Sequence, residues 1–101
     1  MINEYIRYTI SSDSADAFVT AYLHAVESLR ASAHCLGYEL SRCTEDLDQF
    51  ILCIRWDSTE GHLAGFRKSP EFSSFFAAIK PYVGQIQEMR HYAVELAWSR
   101  S

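Results

Sequence analysis

No apolar run in this chain approaches the ~18 residues that a membrane-spanning helix needs, so no membrane partner is expected. A dense basic stripe is also missing. The nine Lys and Arg residues are scattered and the formal net charge is -4. That argues against nucleic acid, whose phosphates call for a clustered basic surface. Cysteine is sparse and odd in number. Cys35, Cys43 and Cys53 form no short CxxC pair and match no common zinc spacing. This argues against a disulfide scaffold, and three small, buried or half-buried thiols in a reducing compartment are expected. The first residues mix Asn3, Glu4 and Arg7 with apolar ones, unlike a signal peptide, which makes a cytoplasmic protein the expectation. There is no HExxH pair, phosphate-gripping glycine loop, nucleophile elbow, internal repeat or low-complexity tract.

What remains has a folded composition, nearly half apolar and 22% charged. Its 101 residues suit one domain, spanning 1–101, with one core. A domain of this size is marginal alone and gains from pairing with a partner.

The side-chain period changes along the chain. Tyr5 to Ile10 alternates and is rich in β-formers, which predicts a strand. Past a polar break at Ser11 to Ser14, the residues Phe18, Tyr22, Ala25 or Val26, and Leu29 recur at three or four. They predict an amphipathic helix from Ala15 to about Ala33. Tyr38 to Cys43 and Phe50 to Trp56 flank an acidic turn and predict a hairpin. Asp57 and Glu60 have the spacing of a capping box for a short helix from Ser58 to about Lys68. Ser69 and Pro70 begin another, with Phe72, Phe75 or Phe76, and Ile79 inward, and Pro81 ends it. Glu88 to Leu96 alternates as the last strand, with Met89, His91 and Ala93 on one side and Arg90, Tyr92 and Val94 on the other. The order β-α-β-β-α-β is the split βαβ of a ferredoxin-like α+β sandwich. Helices on one sheet face leave the other uncovered. Large residues on both faces, such as Tyr5 and Ile6 or Ile51 and Leu52, point to a homodimer that covers the open face with a second copy.

The segment from Trp56 through Ser58, His62, Phe66, Ser69 and Pro70 to Phe72, and the later Ile86 to Tyr92, resemble the antibiotic biosynthesis monooxygenase family. In that family a strand ends in Trp, a helix follows, then an aromatic residue, then a Ser that opens a Phe-containing helix. The resemblance extends over roughly nine tenths of the chain, including the first strand and helix. It implies a dimeric α+β barrel with a pocket between sheet and helices in each subunit. It also implies an oxygenase that needs no metal, flavin or haem, because an electron-rich polyphenol or anthrone reduces oxygen once deprotonated. The family's haem-degrading branch has Trp where Phe66 stands, an iron-ligating His where Phe76 stands, and an Asn near Ile6 or Arg7. All three are absent here, so no haem is expected.

Chemistry of that kind needs an aromatic-lined pocket, a group that takes a phenolic proton and a donor for the resulting oxyanion. His62, one turn past Trp56, is the candidate base, against the plainer reading of a boundary histidine that decorates its helix. His91 faces either the pocket or the dimer seam. Arg55 points away from Trp56, to bind a phenolate or to bridge subunits. Trp56, Phe66, Phe72 and Phe76 line the pocket or simply pack the core. Tyr38 and Tyr92 donate to an oxyanion or sit in an interface. Other readings of the same fold are a non-catalytic homodimeric binder of a small aromatic molecule, or a decarboxylase, dehydratase or isomerase by analogy of fold.

Overall fold

Alternation of buried and half-buried residues along the first strand divides the sheet into two unlike faces. In the computed structural model, which describes residues 1–100, strand β1 spans Ile2–Thr9, β2 Cys35–Arg42, β3 Gln49–Trp56 and β4 Ile86–Ala93. Helix α1 spans Ala15–Ala31 and α2 Pro70–Ile79. A π-helical turn, Gly61–Phe66, precedes α2, and a 3₁₀ segment, Lys80–Gln85, follows it. The strands pair antiparallel in the order β2-β3-β1-β4. The expected β-α-β-β-α-β arrangement is present. No helix among the described residues is long and apolar enough to cross a membrane.

The expected barrel is not formed. The sheet is open, with β2 and β4 as its edges and no ladder joining them. Four strands do not enclose an interior, since closure around even a filled core takes about eight. Helices cover one face instead.

The first and last strands also differ from their expected bounds. β1 begins at Ile2, which pairs with Trp56 on one side and Ala93 on the other. β4 therefore stops at Ala93, because Val94 to Leu96 run past the start of β1 and have no strand to pair with. The short helix after β3 is capped by Ser58, not by the Asp57–Glu60 pair: the Gly61 N–H donates to the Ser58 hydroxyl at 2.8 Å. Ser69 stands at the N-cap of α2, but its hydroxyl donates back to the Phe66 carbonyl at 2.6 Å. Of the two Phe residues left open for the inner face of α2, Phe75 is the buried one, while Phe76 remains 38% exposed.

Ile6 and Tyr8 of β1, Leu52, Ile54 and Trp56 of β3, and Phe18, Tyr22 and Leu29 of α1 form the core between sheet and helices. Phe18 is its hub. Its ring meets those of Tyr8, Phe50, Tyr82 and Tyr22 edge-on at centroid distances of 4.8, 5.0, 5.1 and 5.2 Å, the arrangement that aromatic quadrupoles favour. The buried Tyr8 and Tyr22 hydroxyls bond to each other, so neither is left unsatisfied.

Phe18→Ala is expected to cost about 3–5 kcal/mol by denaturant unfolding, the usual range for emptying a buried aromatic site. Leu23→Ala on the exposed face of the same helix (65% exposed) should change stability by no more than about 0.5 kcal/mol.

Candidate functional site

Register brings the first two polar groups together. Glu4 of β1 lies directly across from His91 of β4 and from Ile54 of β3. Trp56, two residues beyond Ile54, is its diagonal neighbour on the helix-facing side, within reach of a long side chain. The Trp56 Nε1–H donates to Glu4 Oε1 at 3.0 Å, and both side chains are buried.

His62 comes from the π-helical turn. Its carbonyl accepts the Arg67 N–H five residues on, at 2.9 Å, while its own N–H donates to the Ser58 carbonyl four residues back. This wide turn, a kind often found at functional sites, aims both His62 and Phe66 inward. Its outer side is held by His34 and Asp57, which lie 2.9 Å apart. A Cβ at Gly61 would run into the Asp57 carboxylate, and one at Gly65 would fall 2.6 Å from His34 Nε2. Only glycine at both positions lets that pair close against the turn.

Inside, the His62 ring stacks on the Trp56 indole at 4.4 Å and 13°. His62 Nε2 is 3.5 Å from Glu4 Oε1, and His62 Nδ1 is 2.7 Å from His91 Nε2. The result is a connected row, Trp56–Glu4–His62–His91, leading from the core to a half-buried histidine. Burial above all, with the Arg67 charge and His91, pushes the His62 pKa down to about 4, so its imidazole is neutral at pH 7. Burial raises the Glu4 carboxyl, against the Trp56 hydrogen bond and the charges of His91 and Arg67, which lower it. Glu4, His62 and His91 each offer one potential metal-donor atom, and the three atoms lie within 4.8 Å of one another.

Glu4 and His62 line a cavity of about 220 Å³ between β1, β3, β4 and α2. Trp56, Phe66, Phe72 and Phe76 all line it, as do Arg67 and Met89. Of the residues singled out in the sequence, the cavity thus gathers His62 and the four aromatics, with His91 behind His62. It does not gather the other three. Arg55 and Tyr92 pair with Asn3 on the opposite face of the sheet. Tyr38 borders a separate hollow beside α1, where the Arg30 guanidinium donates to its hydroxyl at 2.7 Å. Sequence reasoning missed Glu4 and Arg67. Glu4 had a signal: it shares parity with Ile6, Tyr8 and Ile10, so extending β1 by three residues places a carboxylate on the apolar face. Arg67 carried none.

The family described as "Antibiotic biosynthesis monooxygenase" matches residues 1–78. The chain is 23% identical over 92 residues to the uncharacterized protein YczJ of Bacillus subtilis, covering 91% of this chain and 97% of that one. Among solved structures it is similar to SnoaB, a cofactor-independent oxygenase from Streptomyces nogalater. There the TM-score is 0.79 at 10% identity, over 98% of this chain and 97% of that one. It is also similar to a conserved protein from Methanosarcina mazei, with a TM-score of 0.74 at 16% identity, over 90% and 89% of the two chains. Both structural likenesses are likenesses of fold.

The raised Glu4 carboxyl carries a pH signature. A carboxyl whose folded pKa lies above its unfolded value favours the fold at low pH and loses that contribution as pH rises through the folded pKa. Gln at this position still accepts the Trp56 N–H but never ionises. Relative to the parent, Glu4→Gln is therefore expected to gain stability as pH rises above 4.5, read by urea unfolding at pH 4 and pH 7. A difference independent of pH contradicts a strained buried carboxyl.

Proposed function

The chain belongs to the antibiotic biosynthesis monooxygenase family, and from that premise we propose that it oxidises a small aromatic phenol or quinol with molecular oxygen, using no prosthetic group. The observation that carries this reading is the row of Glu4, His62 and His91, of which Glu4 and His62 line a mostly apolar, aromatic cavity. A phenol entering with its ring among Phe66, Phe72 and Phe76 presents its hydroxyl to Glu4 or His62. Proton removal leaves an electron-rich phenolate. Over the whole reaction the phenolic O–H and one ring C–H break and a new C=O forms; O2 accepts the four electrons, one oxygen atom becoming that carbonyl and the other leaving with the two protons as water.

The row also supplies a route for the proton. Each imidazole accepts on one nitrogen and donates on the other. A proton taken up at Glu4 moves to His62 Nε2, and the His62 Nδ1 proton passes to His91 Nε2, which meets solvent. The low basicity of His62 suits a relay that holds no proton for long. Arg67, on the cavity wall, supplies a positive charge to the phenolate. The cavity of about 220 Å³ is smaller than the roughly 300–1,000 Å³ typical of sites for drug-sized ligands, which favours substrates of one or two rings.

The open sheet face supports pairing of two copies, with Ile51 (39% exposed), Tyr92 (47% exposed) and Arg55 in the seam. Three free cysteines accord with a cytoplasmic setting.

Oxygen uptake by metal-stripped protein at pH 6 to 8, with hydroquinones, other polyphenols and anthrones, tests the chemistry. One- and two-ring phenols should be oxidised in preference to anthrones. His62→Ala should lower turnover by about 10²–10⁴ with the fold retained. Absence of uptake across the panel turns the assignment to a non-catalytic binder of small aromatic molecules. For the pairing, sedimentation of the parent should give a dimer and Ile51→Glu a monomer; a monomeric parent removes the proposed seam.

A further inference from the structure

We propose that Glu4, His62 and His91 also form a binding site for a divalent transition-metal ion of the zinc class. This rests on donor geometry and not on the oxygenase reading. The three donor atoms lie within 4.8 Å of one another. Their chemistry is selective: two imidazoles and a carboxylate suit Zn²⁺, Co²⁺ or Fe²⁺, whereas Mg²⁺ and Ca²⁺ take oxygen ligands. Two His and one carboxylate supply three ligands and leave further coordination positions free, and the cavity that Glu4 and His62 line provides space for them.

The ligands are already oriented. Trp56 holds Glu4 through its N–H and His62 through its ring face, the supporting role that outer groups play around metal centres. Some movement is needed to admit an ion, because His62 faces Glu4 through Nε2 and His91 through Nδ1 and one nitrogen must serve both, from donor atoms that lie within 4.8 Å of one another. His62 Nδ1 and His91 Nε2 are 2.7 Å apart, and tetrahedral bonds of 2.0–2.1 Å ask for about 3.3 Å. His91 is half-buried on an edge strand and is the ligand that gives way. Arg67 on the cavity wall opposes the ion and sets its affinity below that of a site without a cation nearby. A bound ion takes the lone pairs through which the imidazoles pass protons, so occupancy and proton relay exclude each other.

The test is titration of EDTA-treated, dialysed protein with Co²⁺, followed by visible absorbance. Saturable binding at one ion per chain is expected, displaced by Zn²⁺. His91→Ala and Glu4→Gln should each weaken it by at least about 100-fold, since losing a ligand costs more than the ~10–100-fold typical of losing a supporting group. Trp56→Phe, which keeps the ring and removes the N–H, should weaken it about 10-fold, and Arg67→Met should tighten it. Wild-type absorbance that fails to saturate below about 1 mM, or unchanged affinity in the near-isosteric Glu4→Gln, overturns the proposal. Absorbance needs no turnover, so the metal site and the oxygenase reading stand or fall separately.

Discussion

The hydrogen bond from the Trp56 indole to the Glu4 carboxylate holds the polar end of this molecule together. A carboxylate at 2% exposure is costly unless its oxygens are satisfied, and beyond Trp56 it has His62 at 3.5 Å and His91 nearby. The bond exists because antiparallel pairing of β1 with β3 sets Trp56 diagonal to Glu4. The indole then does a second thing, offering a flat surface on which His62 stacks. Remove the indole and both the carboxyl and the imidazole lose their reference. Two strands in the middle of the sheet thus define where a loop-borne histidine sits.

The π-helical turn is the counterpart on the helical side. It stands between β3 and α2, where an ordinary α-turn was expected. An interior anchor, His62 on Trp56, and an exterior clamp, His34 with Asp57 against Gly61 and Gly65, grip it from both sides. Preorganisation of this sort keeps reactive groups in place when the cavity is empty.

Much of the architecture was legible in the chain. The change of period at Ala15, the Ser69–Pro70 start of α2 and the alternation of Met89, His91 and Ala93 all reflect local rules that tertiary packing did not override. The aromatic lining of the cavity was readable for the same reason, since Phe66 and Phe72 belong to inward-facing turns. What escaped was nonlocal. Whether Glu4 belongs to β1 depends on Trp56 and Ala93, which arrive some fifty and ninety residues later to pair with Ile2. The burial of His62 depends on a π hydrogen bond that no spacing rule announces. The barrel failed on another ground. It was implied by resemblance alone, and a sheet of four strands with two free edges has no closure of its own.

One irregularity in the ladder reaches further than its size. Between Arg7 and Tyr8 the pairing of β1 with β4 shifts, so that Tyr8 meets Ile86, Arg7 meets Glu88, and Gln87 has no opposite number. In a regular strand Ile86 and His91, five apart, would point to opposite faces; the extra residue lets both face the helices. Deleting Gln87 would restore an unbroken ladder and leave His91 still across from Glu4. The strand therefore carries one residue of slack, and its outermost histidine keeps to the helix side of the sheet with or without it.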